Sequence, residues 1–392
     1  MRVRAFLRAI SLAVSFAAGE HAYAQSSVTL YGIVDDAIVY ANNQKGHSNI
    51  YLRQGNNIAS RWGIKGSDDL GDGTKAIFDL QAGFDPNSGS AAATGLIFNR
   101  QEYVGLQNNK VGTITFGRQY TPSYALILPL TFTYWLTGAT GTPPGGIDGL
   151  DSTLRVNNSV VYTSPDMRGL QFSAQYGFSG IAGTAGSGNT VAAAARYFRG
   201  PLSLAAGYVR MTNADTASGG FSSSSSATFF PSVINEGYLS AHTIQQFVAD
   251  GNYRIGDLTL GANYANLVYR PDASSSFGST AVFNIFGVLA AYRFSPVFSA
   301  AGGFSFTRAS QSNGINDPAR YFQYSFQENY LLSKRTTIYV LQAWQHASGR
   351  TLGPMGGASI IRALPAIGDS QDLTPSSTAN QFVGMVGITT AF

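Results

Sequence analysis

The chain has 392 residues, of which 12% are charged and 12% are aromatic, and it contains 45 glycines and no cysteine. Soluble domains usually carry about 25% charged residues, so the composition argues against an ordinary soluble protein and favours a chain whose outer surface faces lipid. The formal net charge of +4 offers no basic face for nucleic acid, and the absence of cysteine excludes disulfide and thiol chemistry.

The N-terminus has the three parts of a secretory signal peptide. Three arginines lie within the first eight residues, an apolar run covers residues 9–18, and Ala22-Tyr23-Ala24 supplies small residues at the cleavage positions. The apolar run is much shorter than a spanning helix, which needs roughly 20 residues, and no later segment is apolar over a sufficient length. We therefore predict a cleaved signal at 1–24 and one mature domain at 25–392.

The mature chain alternates between segments of about ten residues and breaks of two kinds. The short breaks are rich in Gly, Pro, Asn and Asp, as tight turns require, whereas the long breaks are polar and Gly/Ser-rich, as at 212–241. Seven tight turns, with both termini on the same side, predict an all-β fold: a 16-stranded antiparallel transmembrane β-barrel. The predicted strands are 28–40, 56–67, 74–84, 97–107, 112–120, 153–163, 170–178, 190–199, 202–211, 242–253, 258–269, 280–293, 298–309, 319–331, 336–347 and 380–392.

The last predicted strand has the clearest alternation. Its even positions from 382 onward are mostly apolar, and the chain ends at Phe392. A soluble domain can end in this way by chance, but together with the signal peptide the pattern resembles the C-terminal assembly signal of outer-membrane barrels. That resemblance implies contact with the barrel-assembly machinery during biogenesis and with outer-membrane lipid afterwards. Tyrosines near strand ends indicate aromatic girdles, although ordinary β-propensity also places tyrosine in strands.

Four motifs, in this order along the chain, resemble those of the Gram-negative general porins, in particular the β-proteobacterial members. They are residues 27–32 (SVTLYG), 60–71 (SRWGIKGSDDLG), 116–120 (FGRQY) and 157–165 (NNSVVYTSP). The resemblance covers essentially the whole mature chain. It implies a homotrimer of water-filled barrels in the outer membrane, each narrowed by a third external loop folded inward. It also implies passive diffusion of ions and small hydrophilic solutes, no cofactor or metal, and a position for Arg118 at the trimer interface, facing a neighbour's second loop.

The predicted third external loop, residues 120–152, is far longer than a hairpin needs. Enterobacterial relatives place acidic residues in the middle of this loop, but here no Asp or Glu occurs before Asp148, near its exit. The loop instead carries an apolar stretch at 124–136, which includes Tyr134 and Trp135. Two interpretations of this stretch stay open. It packs the loop onto the inner wall, or it forms an aromatic lip that narrows the pore.

Strand alternation selects the charged residues of the wall. It places Arg61 with Lys65, Arg100 with Glu102, and Arg155 with Ser159 on shared faces of the second, fourth and sixth predicted strands. A charge facing lipid at the midplane costs about 2–4 kcal/mol, so inward orientation is favoured, although each arginine alone also fits a solvated position at the interface. The resemblance matches the three arginines to the basic cluster opposite the inserted loop, and Arg53 is a weaker candidate for the same field. The predicted constriction is Arg61, Lys65, Arg100, Glu102, Asp148 and Arg155.

The function that these features predict is a general diffusion pore with a preference for anions, because rings of basic side chains favour anions. Three alternatives stay open: a substrate-specific channel for small organic anions, a barrel that serves mainly as an adhesin or structural protein, and an outer-membrane enzyme. An enzyme would need a nucleophile, a base and an orienting acid. The histidines of the mature chain, His47, His242 and His346, show no such constellation and no metal-binding cluster in the sequence.

Overall fold

The computed structural model describes residues 26–131, 134–135, 138–151, 154–183, 186–217, 221, 225–228, 232–354, 356–368 and 374–392. The predicted signal peptide, 1–24, lies outside these residues. The helical segments are short and include α1 (Pro122–Ile127), α2 (Gly138–Gly141) and the 3-10 turns Leu128–Leu130, Pro144–Gly146 and Glu236–Tyr238. Within these ranges, no helix has the length and apolar character needed to cross a membrane.

The other regular elements of the described residues are antiparallel strands. In chain order they are β1 (Ser27–Gln44), β2 (His47–Gln54), β3 (Arg61–Gly71), β4 (Thr74–Gly83), β5 (Gln101–Asn108), β6 (Gly112–Tyr120), β7 (Arg155–Thr163), β8 (Leu170–Gly177), β9 (Thr190–Arg199), β10 (Leu202–Thr212), β11 (Ala227–Thr228), β12 (Thr243–Ile255), β13 (Leu258–Arg270), β14 (Ala281–Arg293), β15 (Phe298–Ala309), β16 (Arg320–Leu331), β17 (Thr336–Ser348), β18 (Arg350–Gly353), β19 (Gly356–Arg362) and β20 (Asn380–Ala391).

The sheet closes on itself because β1 pairs with β20, from Ile33 opposite Ala391 to Ala41 opposite Val383. One edge of β1 is shared, since its first half pairs with β3 and its second half with β2, so β2 and β3 form one interrupted wall strand. The two-residue β11 only adds to β7, and β18 and β19 form a separate hairpin. The wall therefore consists of 16 antiparallel strands, which confirms the predicted fold class.

The first external connection differs from the prediction. The sequence predicts a loop between residues 40 and 56, but β1 continues to Gln44 and β2 returns directly from His47. Lys45 and Gly46 have φ values of 54° and 102°, which fit a two-residue hairpin turn whose twist matches that of the flanking strands. Polar residues in a short hairpin extension are difficult to distinguish from a loop when only composition is available.

The interior of the barrel is partly filled on its external side. Inward positions of β12, β14 and β16 are apolar there, and they pack against Tyr238 of the connection between β10 and β12. The rings of Tyr238 and Phe283, for example, have centroids 5.6 Å apart. The outer wall shows the opposite pattern, with large apolar side chains such as Phe286 and Val288 exposed to the surroundings. Burial of apolar side chains inside the external half confines the open interior of the barrel to the remaining cross-section.

Candidate functional site

The connection between β6 and β7, called loop three below, lies against the inner wall of the barrel. Its helix α1 packs on β9 and β10 at Gly207, where an added Cβ would overlap the Ser123 hydroxyl. Ile127 and Ile147 of the same loop are fully buried. A residue without a side chain at Gly207 thus lets the helix approach the strand backbone closely.

Side-chain hydrogen bonds from the wall hold loop three along its length. The donors belong to β2, β12 and β16, and three of the four are neutral amides. The bonds are Arg53 Nη2 to Thr140 Oγ1 (2.6 Å), Gln323 Nε2 to Thr142 O (2.8 Å), Gln246 Nε2 to Ile147 O (3.1 Å) and Asn252 Nδ2 to Leu130 O (3.2 Å). Carbonyl groups of a loop without regular structure need such donors when they are removed from bulk water.

A cluster of arginines surrounds Tyr120 at the end of β6. The guanidinium carbon of Arg100 lies 5.8 Å from the centre of the Tyr120 ring, and that of Arg155 lies 5.3 Å from it. Tyr124 of α1 stacks on the same ring at a centroid distance of 4.2 Å. Arg100 also donates from Nε to Gln81 Oε1 at 2.9 Å. The aromatic ring lies near two like charges and reduces the cost of their proximity through cation–π attraction.

Arg61 borders a lumen cavity of about 530 Å³, which Tyr120 and Tyr124 also line. Lys65 lies four residues after Arg61 on β3, and its Nζ is 5.1 Å from the centre of the Tyr31 ring. Below the arginines, the Asp79 carboxylate accepts hydrogen bonds from the Tyr31 hydroxyl (2.6 Å) and from Gln101 Nε2 (2.8 Å). The structure therefore brings Arg61, Arg100 and Arg155 together and leaves Lys65 on the periplasmic side of them.

The predicted lumen position of Glu102 is wrong. Gln101 and Tyr103 are opposite Gln81 and Asp79 of β4 and share their inward face, so Glu102 faces outward with the exposed Val104. Arg100 still points inward because it precedes the first residue of β5 and is not subject to the alternation of that strand. The predicted orientation of β7, with Arg155 and Ser159 on a shared face of a regular strand, is also altered. A bulge at Asn158, with φ of 47°, puts Val156 and Ser159 on one face.

Arg118 lies on the outward face of β6, as the alternation predicts, opposite Glu102. Its partners within the chain are the Asn99 carbonyl (2.9 Å), the Thr228 hydroxyl (3.0 Å) and the Asn157 side-chain oxygen. These bonds connect β6 to the segment between β4 and β5, to β7 and to β11. The predicted contact of Arg118 with a neighbouring subunit stays a prediction.

Asp148, the carboxylate predicted near the exit of loop three, is buried on a different part of the wall. It lies beside Asp250 of β12, with its Oδ1 accepting from the Leu150 backbone N–H at 3.3 Å. Burial raises the pKa of the Asp148 carboxyl to about 6. The loop thus directs this acidic group away from the arginine cluster.

The C-terminal residue closes the barrel seam. Phe392 and Gly32 exchange two backbone hydrogen bonds of 3.0 and 3.1 Å, and the Phe392 ring covers Gly32, where an added Cβ would overlap it. The ring is half-exposed on the outer face. The role of Phe392 as an assembly signal stays a prediction.

A family model described as Gram-negative porin matches residues 9–349, which is most of the chain. The chain belongs to the Gram-negative porin family. This porin is 32% identical over 231 residues to an outer membrane porin protein of Bordetella pertussis, which covers 52% of this chain and 58% of that protein. It is 35% identical over 217 residues to outer membrane porin protein 32 of Delftia acidovorans, which covers 52% and 60% of the two chains. The porin thus spans only about 60% of the length of these two curated relatives.

Solved structures show the same fold. An anion-selective porin from Comamonas acidovorans superposes with a TM-score of 0.69 over 94% of this porin and 100% of that chain, at 23% identity. A loop-deletion mutant of OmpT, an outer membrane protein of Vibrio cholerae, superposes with a TM-score of 0.63 at 15% identity, over 94% of this porin and 99% of that chain. The porin is accordingly an outer-membrane protein of a Gram-negative bacterium, as the sequence predicts.

Three contributors to the lumen are not predicted by the sequence. Tyr120 was visible in the FGRQY motif, but its position between two arginines depends on the end of β6. The inward pair Tyr31 and Asp79 lies on strands whose alternation is weak, so their shared network has no sequence signal. Gln323 is one amide among many and becomes distinctive only through its bond to loop three.

Proposed function

We propose that this porin forms a water-filled channel through which ions and small hydrophilic solutes diffuse passively, with a preference for anions. The observation that supports this most strongly is the lining of the 530 Å³ cavity beside the arginine cluster. The described residues that line it include Arg61 and several glutamines, threonines and tyrosines, but no Asp or Glu. An ion in this cavity therefore meets a positive field without a nearby carboxylate in the lining to cancel it.

Two carboxylates inside the barrel, those of Asp79 and Asp148, are not part of this lining. Asp79 accepts hydrogen bonds from Tyr31 and Gln101, and Asp148 is buried beside Asp250 on another part of the wall. The family and the fold favour a channel over an enzyme. The superposed Comamonas acidovorans protein is called anion-selective, which agrees with the preference that the arginines predict here.

Reversal potentials in planar bilayers under a KCl gradient test the proposal. The expected sign is that of a chloride-preferring pore, and a potassium preference or the absence of conduction would contradict it. Liposome swelling separates the alternatives. Dependence of the swelling rate on solute size alone supports a general pore, whereas a marked preference for one small organic anion supports a specific channel.

We further infer that the barrel forms a homotrimer through the outer face of β20 and β1–β6. Among the described residues 26–120, the exposed large apolar side chains are aliphatic except for Tyr40 and Phe116. On β8–β17, by contrast, exposed aromatic side chains are frequent, as expected of a girdle at the membrane interfaces. A sector with few exposed aromatic side chains is better suited to protein contact than to the lipid interface.

Because the chain contains no cysteine, single-cysteine labelling tests the trimer. Val104 on β5 and Val288 on β14 are similarly exposed in the isolated chain, at 59% and 55%. A membrane-permeant maleimide should label Val288→Cys in the native protein but label Val104→Cys only after dissociation by heat. Equal labelling of both native variants would contradict the proposed interface.

Deletion of Phe392 should reduce the folded fraction in the outer membrane if the barrel-assembly machinery recognises that residue.

A further inference from the structure

A second cavity lies between loop three and the wall of β12–β16, next to the tight turn between β12 and β13. Its volume is about 370 Å³, close to the lower end of the range of small-molecule sites, about 300–1,000 Å³. Tyr134 and Trp135 of loop three line one side, and the small residues Ala291 and Ala301 line the wall side. Since short turns lie at the periplasmic end of such barrels, the cavity lies near the periplasmic end of the lumen.

The Trp135 ring is held in place by two kinds of contact. It packs against the wall cluster of Leu289, Ala291 and Ala301, and its Nε1 donates to the Pro129 carbonyl at 3.0 Å. Tyr134 approaches the indole edge-on, with centroids 5.8 Å apart and an angle of 80° between the planes. With its polar N–H satisfied inside the loop, the half-buried indole offers the cavity a fixed apolar surface.

The charges at this cavity leave one cation available. Arg293 Nη2 forms an ion pair with Asp257 Oδ1 at 3.0 Å, so these two lining residues compensate each other. Arg254 is exposed toward the cavity, and no carboxylate of the described residues lies within ion-pair distance of its guanidinium. A flat apolar surface and a free guanidinium in one small cavity complement a ligand with a planar ring and one negative charge.

We propose that this cavity binds small aromatic carboxylates of about the size of benzoate, with the ring against Trp135 and the carboxylate at Arg254. An inorganic anion would satisfy Arg254 alone, and an aliphatic acid would lose the contact between flat rings. The inference rests on the proposed channel function only for delivery of the ligand, because the cavity opens into the lumen. The site is separate from the arginine cluster around Tyr120.

Intrinsic fluorescence tests the binding directly. The chain has three tryptophans, so the double substitution Trp62→Phe and Trp344→Phe leaves Trp135 as the sole reporter. Benzoate should change its emission saturably, and cyclohexanecarboxylate, which has the same charge but no flat ring, should bind at least about fivefold more weakly. Arg254→Gln in this background should weaken benzoate binding by about tenfold or more, since it removes a charge-assisted hydrogen bond. Arg335→Gln, which makes the same charge change in the exposed turn between β16 and β17, should leave the affinity unchanged.

Chloride conductance of the same samples separates the two proposals. If conductance is normal and benzoate binds equally well to the parent and to Arg254→Gln, the aromatic-acid site is overturned but the channel is not. Equal affinity for benzoate and cyclohexanecarboxylate at normal conductance has the same consequence. Saturable, Arg254-dependent binding in a protein that does not conduct supports the site and overturns the channel. Block of chloride current by benzoate gives an independent check. It should persist in Trp135→Phe, which keeps a ring, and disappear in Trp135→Leu, which keeps only apolar volume.

Discussion

Replacement of Arg61 by glutamine isolates the electrostatic part of the proposed selectivity. Arg61 is half-buried and borders the 530 Å³ cavity, whereas Arg100 and Arg155 are almost fully buried, so that their removal would also disturb packing. Glutamine keeps much of the side-chain length and its hydrogen-bonding capacity while removing the charge. The measured quantity is the permeability ratio of chloride to potassium.

The size of the effect follows from the dimensions of the cavity. A sphere of the cavity volume has a radius of about 5 Å, so an ion at its centre lies about 6 Å from the guanidinium, where a unit charge in water contributes roughly 0.7 kcal/mol. A Debye length of about 10 Å in 0.1 M salt reduces this to roughly 0.4 kcal/mol. Because chloride is stabilised and potassium destabilised, the permeability ratio should fall about three- to fourfold in Arg61→Gln. In 1 M salt, where the Debye length is about 3 Å, the change should shrink to about 1.4-fold.

Reversal potentials across bilayers at both ionic strengths measure this ratio. The matched control is Arg308→Gln, which removes an exposed arginine from the outer face of β15 and should leave the ratio unchanged. An unchanged ratio in Arg61→Gln, an equal shift in Arg308→Gln, or a shift that does not depend on salt would refute the electrostatic reasoning. Single-channel conductance recorded in parallel shows whether the pore has kept its size.

Three further predictions concern loop three and the wall. Arg53→Gln weakens the bond to Thr140, so voltage-induced closures should become more frequent in single-channel records, with a loss of about 1–2 kcal/mol in the stability of the loop. Burial raises the pKa of the Asp148 carboxyl to about 6, so an increase in pH forces a charge into a buried site; the temperature of the heat-induced mobility shift should therefore fall between about pH 4 and pH 6, and Asp148→Asn should lack this part of the change. Gly117 has φ of 139°, and a Cβ there would overlap the Glu102 carbonyl oxygen, so Gly117→Ala should lower stability by about 1–3 kcal/mol, measured as a lower temperature of the heat-induced mobility shift.

The barrel could be predicted from the sequence because a lipid-facing wall imposes the same alternation on every strand. β14 shows this well: Ile285 and Leu289 point inward and are buried, while Phe286 and Val288 between them are exposed on the outer face. The tight turns add a second signal that is independent of the first, since each needs Gly, Pro, Asn or Asp at its bends. Closure of 16 strands then follows from the number of turns.

The polar character of the inward face was harder to predict. Phe283 and Tyr321 face inward at the external end and are apolar, because loop residues such as Tyr238 fill that part of the barrel. A strand with apolar residues on both faces loses the contrast on which the alternation argument depends. Tyr238 is distant in sequence from Phe283 and Tyr321, so no local sequence pattern indicates that it covers them.

The error at Glu102 has a different physical origin. Its assignment assumed that the strand begins at residue 97, whereas β5 begins at Gln101, and the residues before it form an irregular connection. Arg100 reaches the lumen from that connection, and its backbone N–H donates to the Gln81 carbonyl at 3.2 Å. Alternation holds only within a continuous ladder, so a strand end or a bulge such as that at Asn158 reverses the orientation that a simple count predicts.

The way in which loop three is held bears directly on the charge of the pore. If carboxylates of the loop were paired with Arg61 and Arg100, the loop would be anchored but the positive field in the lumen would be cancelled. Here the anchors are amide-to-carbonyl bonds such as Gln323 to Thr142, together with apolar packing of Ile127 and Trp135. These contacts fix the loop without placing a negative charge beside the arginines. Anchoring of the loop and the proposed anion preference therefore depend on different residues, and a variant that loosens the loop should change gating before it changes the sign of ion preference.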